Sequence, residues 1–228
     1  MQRKILIGCL TILFSSCVLL PLERNFLVDI KTRNPAFNLQ NAAGVKMAIL
    51  PVRDFSDHYS IGYSSTVMGT FVKEIKRRSP QLEITEPEAA TKLLESTGMS
   101  GDYQLMLYRC DMDRKYCLER EEMLRLFKNS GIRYVASLIV SNIDIPIAGS
   151  VLSYSFSVIV YDMSLDGQVV YQATCEGEVY PDILEEGPGV YLDNVMEDVT
   201  KAVVAKMYPE PEENQLKNQL KQKVSGWF

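Results

Sequence analysis

The apolar and polar positions of this chain change period several times, and each change marks a predicted element. Residues 45–52, Val-Lys-Met-Ala-Ile-Leu-Pro-Val, form a short apolar, β-rich run that predicts a buried first strand. Over 61–78, Val67, Met68, Phe71, Val72 and Ile75 recur at helical spacing, with Lys76, Arg77 and Arg78 in the last turn, where cations suit the helix dipole. Leu82, Glu83 and Ile84 predict a brief second strand. Thr85-Glu86-Pro87-Glu88 reads as a capping box with an early proline, opening a helix that Gly98 closes. A loop over 99–117 follows, then a helix over 118–129 with Met123, Leu124 and Phe127 on its inward stripe and Gly131 beyond its end.

Three strands come next, over 132–144, 151–163 and 168–180. The middle one alternates closely: Ser153, Ser155 and Ser157 share one face, and Tyr154, Phe156, Val158 and Val160 the other, the pattern of a half-buried antiparallel sheet. In the third, Val169, Tyr171, Ala173 and Cys175 read as one face, which makes Cys175 a buried small apolar residue. Pro146 with Gly149 makes the first connection, and Asp166-Gly167 is a strong hairpin signal for the second. After Gly187-Pro188-Gly189, a helix over 190–207 presents Leu192, Val195, Met196, Val199, Val203 and Met207. The order β-α-β-α-α-β-β-β-α predicts a single α/β (α+β) domain over 45–208. Its core is a central mixed sheet of about five strands with helices packed on it. Residues 209–228 read as a polar tail.

The first seventeen residues have a different grammar. Arg3 and Lys4 precede an apolar run over 5–14, and Ser15, Ser16 and Cys17 follow, the charged, apolar and small-residue order of a secretory signal. The apolar run is about ten residues, short of the roughly 18 to 20 that span a bilayer. Phe14-Ser15-Ser16-Cys17 resembles the lipobox of bacterial lipoproteins. Leu6-Ile7-Gly8-Cys9 matches that motif more closely letter by letter but leaves too little apolar run before the cut. The expectation is a signal peptide over 1–16 and a lipid on Cys17, with an ordinary cleaved signal or an uncleaved anchor as alternatives. Residues 17–44 then read as anchor and tether, partly ordered near the domain: Val18-Leu19-Leu20-Pro21-Leu22 leads into a polar stretch with little periodicity. Such a tether has a mean reach of roughly 30 Å.

Charge narrows the partners. The chain carries 24 Lys+Arg against 29 Asp+Glu, and removal of Arg3 and Lys4 with the signal would make the balance more acidic still. Nucleic acid is therefore not an expected ligand, because binding its backbone needs a basic face. In an oxidising compartment, Cys110 and Cys117, with six residues between them, read as a disulfide, with free structural thiols as the alternative. Metal fits the spacing poorly: there is one histidine, and no paired short knuckle as in a zinc ribbon. No metal or other cofactor is expected.

Three stretches carry a resemblance. They are Met47-Ala48-Ile49-Leu50-Pro51-Val52 followed by Arg53-Asp54-Phe55-Ser56, Gly131-Ile132-Arg133-Tyr134-Val135-Ala136-Ser137 entering a long strand, and Val160-Tyr161-Asp162-Met163 with Gly167-Gln168-Val169-Val170-Tyr171. Together they resemble the periplasmic fold shared by the amino-terminal domain of TolB, the penicillin-binding-protein activator LpoB and the curli-secretion lipoprotein CsgG. The resemblance covers about 45–207. It implies a lipid-anchored location in the cell envelope, at the outer membrane facing the periplasm, an envelope protein as partner, and no chemistry of its own.

The residues themselves offer little catalytic machinery. There is no G-x-S-x-G elbow, no P-loop and no dinucleotide glycine fingerprint. Asp54, Asp57 and His58 follow the first strand, the end at which open α/β sheets bind ligands, so they are one candidate ligand or docking loop. The alternative is a polar loop that caps the next helix. Asp111 and Asp113 lack the Gly and terminal Glu of a calcium loop. The leading expectation is a non-catalytic interaction module that binds or regulates an envelope complex, such as a peptidoglycan synthase or a secretion assembly. A structural subunit of an outer-membrane assembly is the second reading, prompted by two alternating strands longer than a barrel strand needs. A hydrolase or small-ligand binder using the loop after the first strand is the third.

Overall fold

The computed structural model describes residues 26–56, 62–96, 121–144, 151–179 and 188–208 of the chain. Its elements are β1 (Val28–Arg33), β2 (Lys46–Ile49), β3 (Arg53–Asp54), α1 (Tyr63–Arg78), β4 (Glu83–Thr85), α2 (Pro87–Ser96), α3 (Glu121–Asn129), β5 (Ile132–Asp144), β6 (Leu152–Asp162), β7 (Gln168–Val179) and α4 (Pro188–Met207). The expected mixed α/β architecture is present, but the sheet has seven strands, not about five. They run β1-β7-β6-β5-β2-β4, with β3 joined to β5 beside β2. The β5, β6, β7 and β1 neighbours are antiparallel, and β2 runs parallel to both β4 and β5. The sheet does not close, so its long strands are core strands of an open sheet and give no support to the barrel reading that their length prompted.

Both extra strands have local causes. Residues 45–52 predict one strand, but Pro51 has no N–H to give to a ladder. Pairing therefore stops after Leu50, whose N–H reaches the Ala136 carbonyl at 2.9 Å, and resumes at Arg53 opposite Ile139. The other addition, β1, lies inside the stretch expected to be tether. Only Val28 and Ile30 alternate there among charged residues, the weak signature of an edge strand, and the register slips around Lys31. The correction extends beyond β1: Phe37, Leu39 and Ala42 are buried, and the Phe37 ring meets Tyr134 and Tyr171 at centroid distances of 5.5 Å. The folded body thus begins by residue 26, and residues 26–44 belong to it.

Two cores form, one on each side of the sheet. On the first face, Tyr154, Phe156, Val158 and Val160 of β6 pack with α1 and α4, through Val67, Phe71 and Ile75 and through Val195, Val199 and Val203. The ends of these helices are tied down. Arg33 donates to the last carbonyls of α4, at Lys206 (3.2 Å) and Met207 (3.3 Å), a cation where the helix dipole is negative. Ser79, beyond α1, donates to the Leu39 carbonyl at 2.8 Å and shares a hydrogen bond with the Tyr208 hydroxyl. Glu74, nearly buried in the last turns of α1, is gripped by Arg77 and Arg78. Hydrogen bonds from Arg77 hold its carboxyl below the usual range against the opposing effect of burial.

The second face carries a smaller core, in which Ala90 and Leu94 of α2 and Leu126 and Phe127 of α3 cover Leu50, Val135, Ile159 and Tyr161. The β6–β7 connection shows a second departure. Asp166 and Gly167 do adopt the left-handed conformation that the hairpin signal implies, at φ 55° and 74°. They close a longer turn, however, in which Met163–Leu165 form one 3₁₀ turn and the Asp162 carboxylate caps Ser164 N–H at 2.8 Å while pairing with Arg133. Beyond it, Val160 opposes Tyr171 but Tyr161 opposes Val169, so Val170 is bulged. Tyr171, Ala173 and Cys175 share the first face as expected, whereas Val169 turns to the second. Cys175 is fully buried as a free thiol, and burial pushes its pKa up to about 11.

Two predictions follow from this packing. A chain starting at Val45 should be far less stable than one starting at Phe26, because burial of Phe37 and Leu39 alone contributes about 1.5–3 kcal/mol each. Equal urea midpoints for the two chains would show that residues 26–44 are not part of the fold. The second prediction is alkaline. Burial raises the pKa values of Tyr63, Tyr134, Tyr154, Tyr171 and Tyr208 above 10.0. A raised folded-state value means that stability from these phenols is intact below about pH 10 and declines as pH climbs past it. Tyrosinate absorbance should therefore rise in two phases, the later one coinciding with loss of far-ultraviolet dichroism; five early-titrating phenols in an intact fold would contradict the packing.

Candidate functional site

The loop after the first long-strand segment was the candidate site in the sequence, and the structure describes one of its three residues. Asp54 ends β3; Asp57 and His58 lie outside the described residues. Both Asp54 oxygens are engaged. Oδ1 accepts from the Ser56 N–H at 2.9 Å and from Ser56 Oγ at 2.7 Å, and Oδ2 accepts from the Tyr63 hydroxyl and, at 3.5 Å, from Ser64 Oγ. Tyr63 is fully buried, and burial together with the Asp54 hydrogen bond drives its phenol well above its ordinary pKa. A carboxylate held this way fastens the sheet to the first turn of α1. It does not cap that helix in the expected way: the N-cap is Gly62, at φ 90° and without a side-chain cap. Among the described residues, no group of three or more His, Cys, Asp or Glu is placed to hold a metal ion.

A different arrangement stands out on the second face of the sheet. Strand pairing orders its side chains in rows that change character along the strands. Nearest the α2–α3 cover, Ser137, Ile159 and Gln172 lie side by side. The next row runs Arg53, Ile139, Ser157, Thr174 and Asp29. Then come Asn142, Ser155 and Glu176, and finally Asp144, Ser153 and Glu178. Hydroxyl and amide side chains run through all four rows, and β5 and β7 add the carboxylates Glu176, Asp144 and Glu178 in the last two. The hydroxyls interlock across strands: Ser157 meets Thr174 at 2.9 Å, Ser141 meets Ser155 at 3.0 Å, and Ser155 reaches Glu176 at 3.3 Å.

Burial and charge divide this face further. Glu176, Glu178, Asn142 and Asp144 are exposed, whereas Ser137 and Gln172 are only 3% and 8% exposed. Arg53 is buried at the β3 margin of the face, its guanidinium 4.6 Å over the ring of the half-exposed Phe55. The Ser153–Ser155–Ser157 alternation was visible in the sequence as the polar side of a strand. What it could not show was which residues of β5 and β7 stand beside them, because that depends on register and on the bulges in both neighbours. Chemically the face is a two-dimensional array of acceptors and donors with a negative end, suited to binding and carrying no aligned nucleophile and base.

No model of a known protein family matches this chain, and no curated protein matches it. Solved structures do. One is a PelC dodecamer from Paraburkholderia phytofirmans, 14% identical, with 82% of this chain and 100% of that chain covered and a TM-score of 0.48. Another is lipoprotein GNA1162 from Neisseria meningitidis, 11% identical over 72% of this chain and 97% of that one, TM-score 0.46. The LpoB C-terminal domain from Salmonella enterica, a member of the group the sequence motifs resemble, is 12% identical over 61% of this chain and 85% of that one, TM-score 0.38. At these identities and scores the likenesses carry no activity or partner over to this chain.

Proposed function

We propose that this chain is a non-catalytic interaction module of the bacterial cell envelope, held by a lipid on Cys17 at the outer membrane and facing the periplasm. It binds or regulates an envelope complex such as a peptidoglycan synthase or a secretion assembly. The single observation that carries the reading is the polar end of the second sheet face, where Asn142, Asp144, Glu176 and Glu178 are exposed on adjacent strands. The charge-ordered rows supply recognition without reacting groups. Of the candidate loop's carboxylates, the described one, Asp54, accepts hydrogen bonds at both oxygens.

The anchor fits this reading physically. No described helix is long and apolar enough to cross a membrane, and this reading assigns attachment to the lipid. With β1 starting at Val28, ten residues separate it from Cys17, and such a segment has a mean reach of about 17–19 Å. The chain enters the fold opposite Cys175, close to the acidic end of the open face. A module tethered this way works near the bilayer surface rather than far from it. Cys110 and Cys117 lie outside the described residues, and their disulfide belongs to the proposal as a staple suited to an oxidising compartment.

Two measurements test the reading. Cys17→Ser should abolish fatty-acid labelling and release the protein from membranes, and unchanged labelling refutes the anchor. Tyr63→Phe and Asp54→Asn should each lower stability by about 1–3 kcal/mol, the cost of breaking a buried charge-assisted hydrogen bond. Complementation should then fall only as far as the melt does. Null complementation with an unchanged melt would instead assign Asp54 a chemical role and overturn the non-catalytic reading.

A further inference from the structure

We propose that the outer edge of β1 pairs antiparallel with the same edge of a second copy of this chain, joining the two sheets about a twofold axis at Ile30. The inference stands apart from the reading of an envelope partner. β1 ends the sheet: it is paired with β7 on one side, and no described strand pairs with its other side. A strand so placed presents a row of backbone donors and acceptors that another strand completes. Of the four large hydrophobic residues exposed among the described ones, two lie at this edge, Ile30 within β1 and Leu27 just before it at 85% exposure.

The order of charges along the edge selects the occupant. In Leu27-Val28-Asp29-Ile30-Lys31-Thr32-Arg33 an acid and a base flank Ile30 symmetrically. An antiparallel strand of the same sequence centred there sets Ile30 opposite Ile30, and Asp29 of each copy opposite Lys31 of the other. Within one chain, Asp29 and Lys31 already meet as an exposed ion pair. Pairing extends it into a ladder of four charges of alternating sign, and opposite charges facing each other across strands attract. Centring the pair on Asp29 or on Lys31 instead places like charges face to face, so the same pattern fixes the register.

Edge lysines and bulges are the usual guards against indiscriminate pairing, and Lys31, with the register slip beside it, is such a guard. A guard matched by an acid two residues before it turns away other strands and admits its own copy. β1 is six residues long, well short of the roughly 20 to 30 residues a side of an interface that persists in dilute solution. The pairing therefore belongs to copies held at high local concentration, as on a membrane surface.

The test uses the full-length chain in bacterial cells. After mild oxidation of intact cells, Ile30→Cys should yield a disulfide-linked dimer, because residues opposite each other have Cα atoms about 4.5–5.5 Å apart, a span that a disulfide bridges. Thr32→Cys should yield at least about tenfold less, since the two copies of that position lie roughly 13 Å apart along the strands. In the Ile30→Cys background, Asp29→Lys and Lys31→Asp should each cut the dimer at least about fivefold. The double swap Asp29→Lys, Lys31→Asp should restore it, as should coexpression of the two single variants. No dimer from Ile30→Cys, equal yields from Ile30→Cys and Thr32→Cys, yields indifferent to the charge changes, or a double swap that restores nothing overturns the proposal. Photo-reactive p-benzoylphenylalanine in place of Leu27 names any other occupant: an adduct joining two copies through β1 is the expected result, and adducts only to residues 209–228 of the same chain or only to a different protein overturn it.

Discussion

The antiparallel pairing of β5, β6 and β7 is the constraint on which the other elements depend. Three strands of 11 to 13 residues carry one unbroken apolar face, and an apolar sheet face has to be covered. α1 and α4 meet that demand, which explains why both helices show a single buried stripe and why their ends are tied by side chains from distant segments. Arg33 caps α4 from β1, Ser79 bridges the end of α1 to Leu39 and Tyr208, and Asp54 holds the start of α1 through Tyr63. These polar contacts fix the angle at which the helices lie across the strands. The apolar stripe alone would permit sliding.

The same sheet must solve a second problem on its other side, where, among the described residues, the helical cover is two short helices. The face turns polar along its strands: aromatic and aliphatic under α3, hydroxyls next, exposed carboxylates at the far end. Cross-strand Ser–Thr pairs are worth roughly 0.2–1 kcal/mol each, so the hydroxyl rows contribute to sheet stability as well as keeping the face soluble.

Much of the fold was legible because its strongest signals are periodic. β5, β6, β7 and α4 fall within two residues of where alternation and the 3.6-residue stripe put them, since long elements average over local noise. The losses have specific causes. β1 is an edge strand whose charged residues face solvent, so its alternation has only two apolar members. The β2–β3 break follows from a proline inside an apolar run, and Val169 changes face because a bulge at Val170 reverses the parity that a reader of sequence assumes. The candidate site was less legible. Asp54 attracted notice because it follows a strand, yet its role was set by Tyr63 nine positions on, a contact that helical phase hints at without specifying. The open face depends on which residue of β5 stands beside which of β6 and β7, and that information is in the register alone.

Moving the start of the folded body from Val45 to Phe26 changes the mechanics of the anchored protein as well as its core. A lipid on Cys17 would connect through about ten residues to an edge strand that is hydrogen-bonded along its length to β7, so the pull of the membrane would enter the sheet directly. Because β7 carries Glu176 and Glu178 on the strand next to that entry point, the start of β1 and the acidic rows share one end of the domain. An anionic leaflet repels such an end at short range, within about one Debye length of roughly 8 Å at physiological salt. A lipid on Cys17 would pull this end toward a bilayer while the carboxylates beside it would be repelled, a balance that a long floppy tether could not enforce.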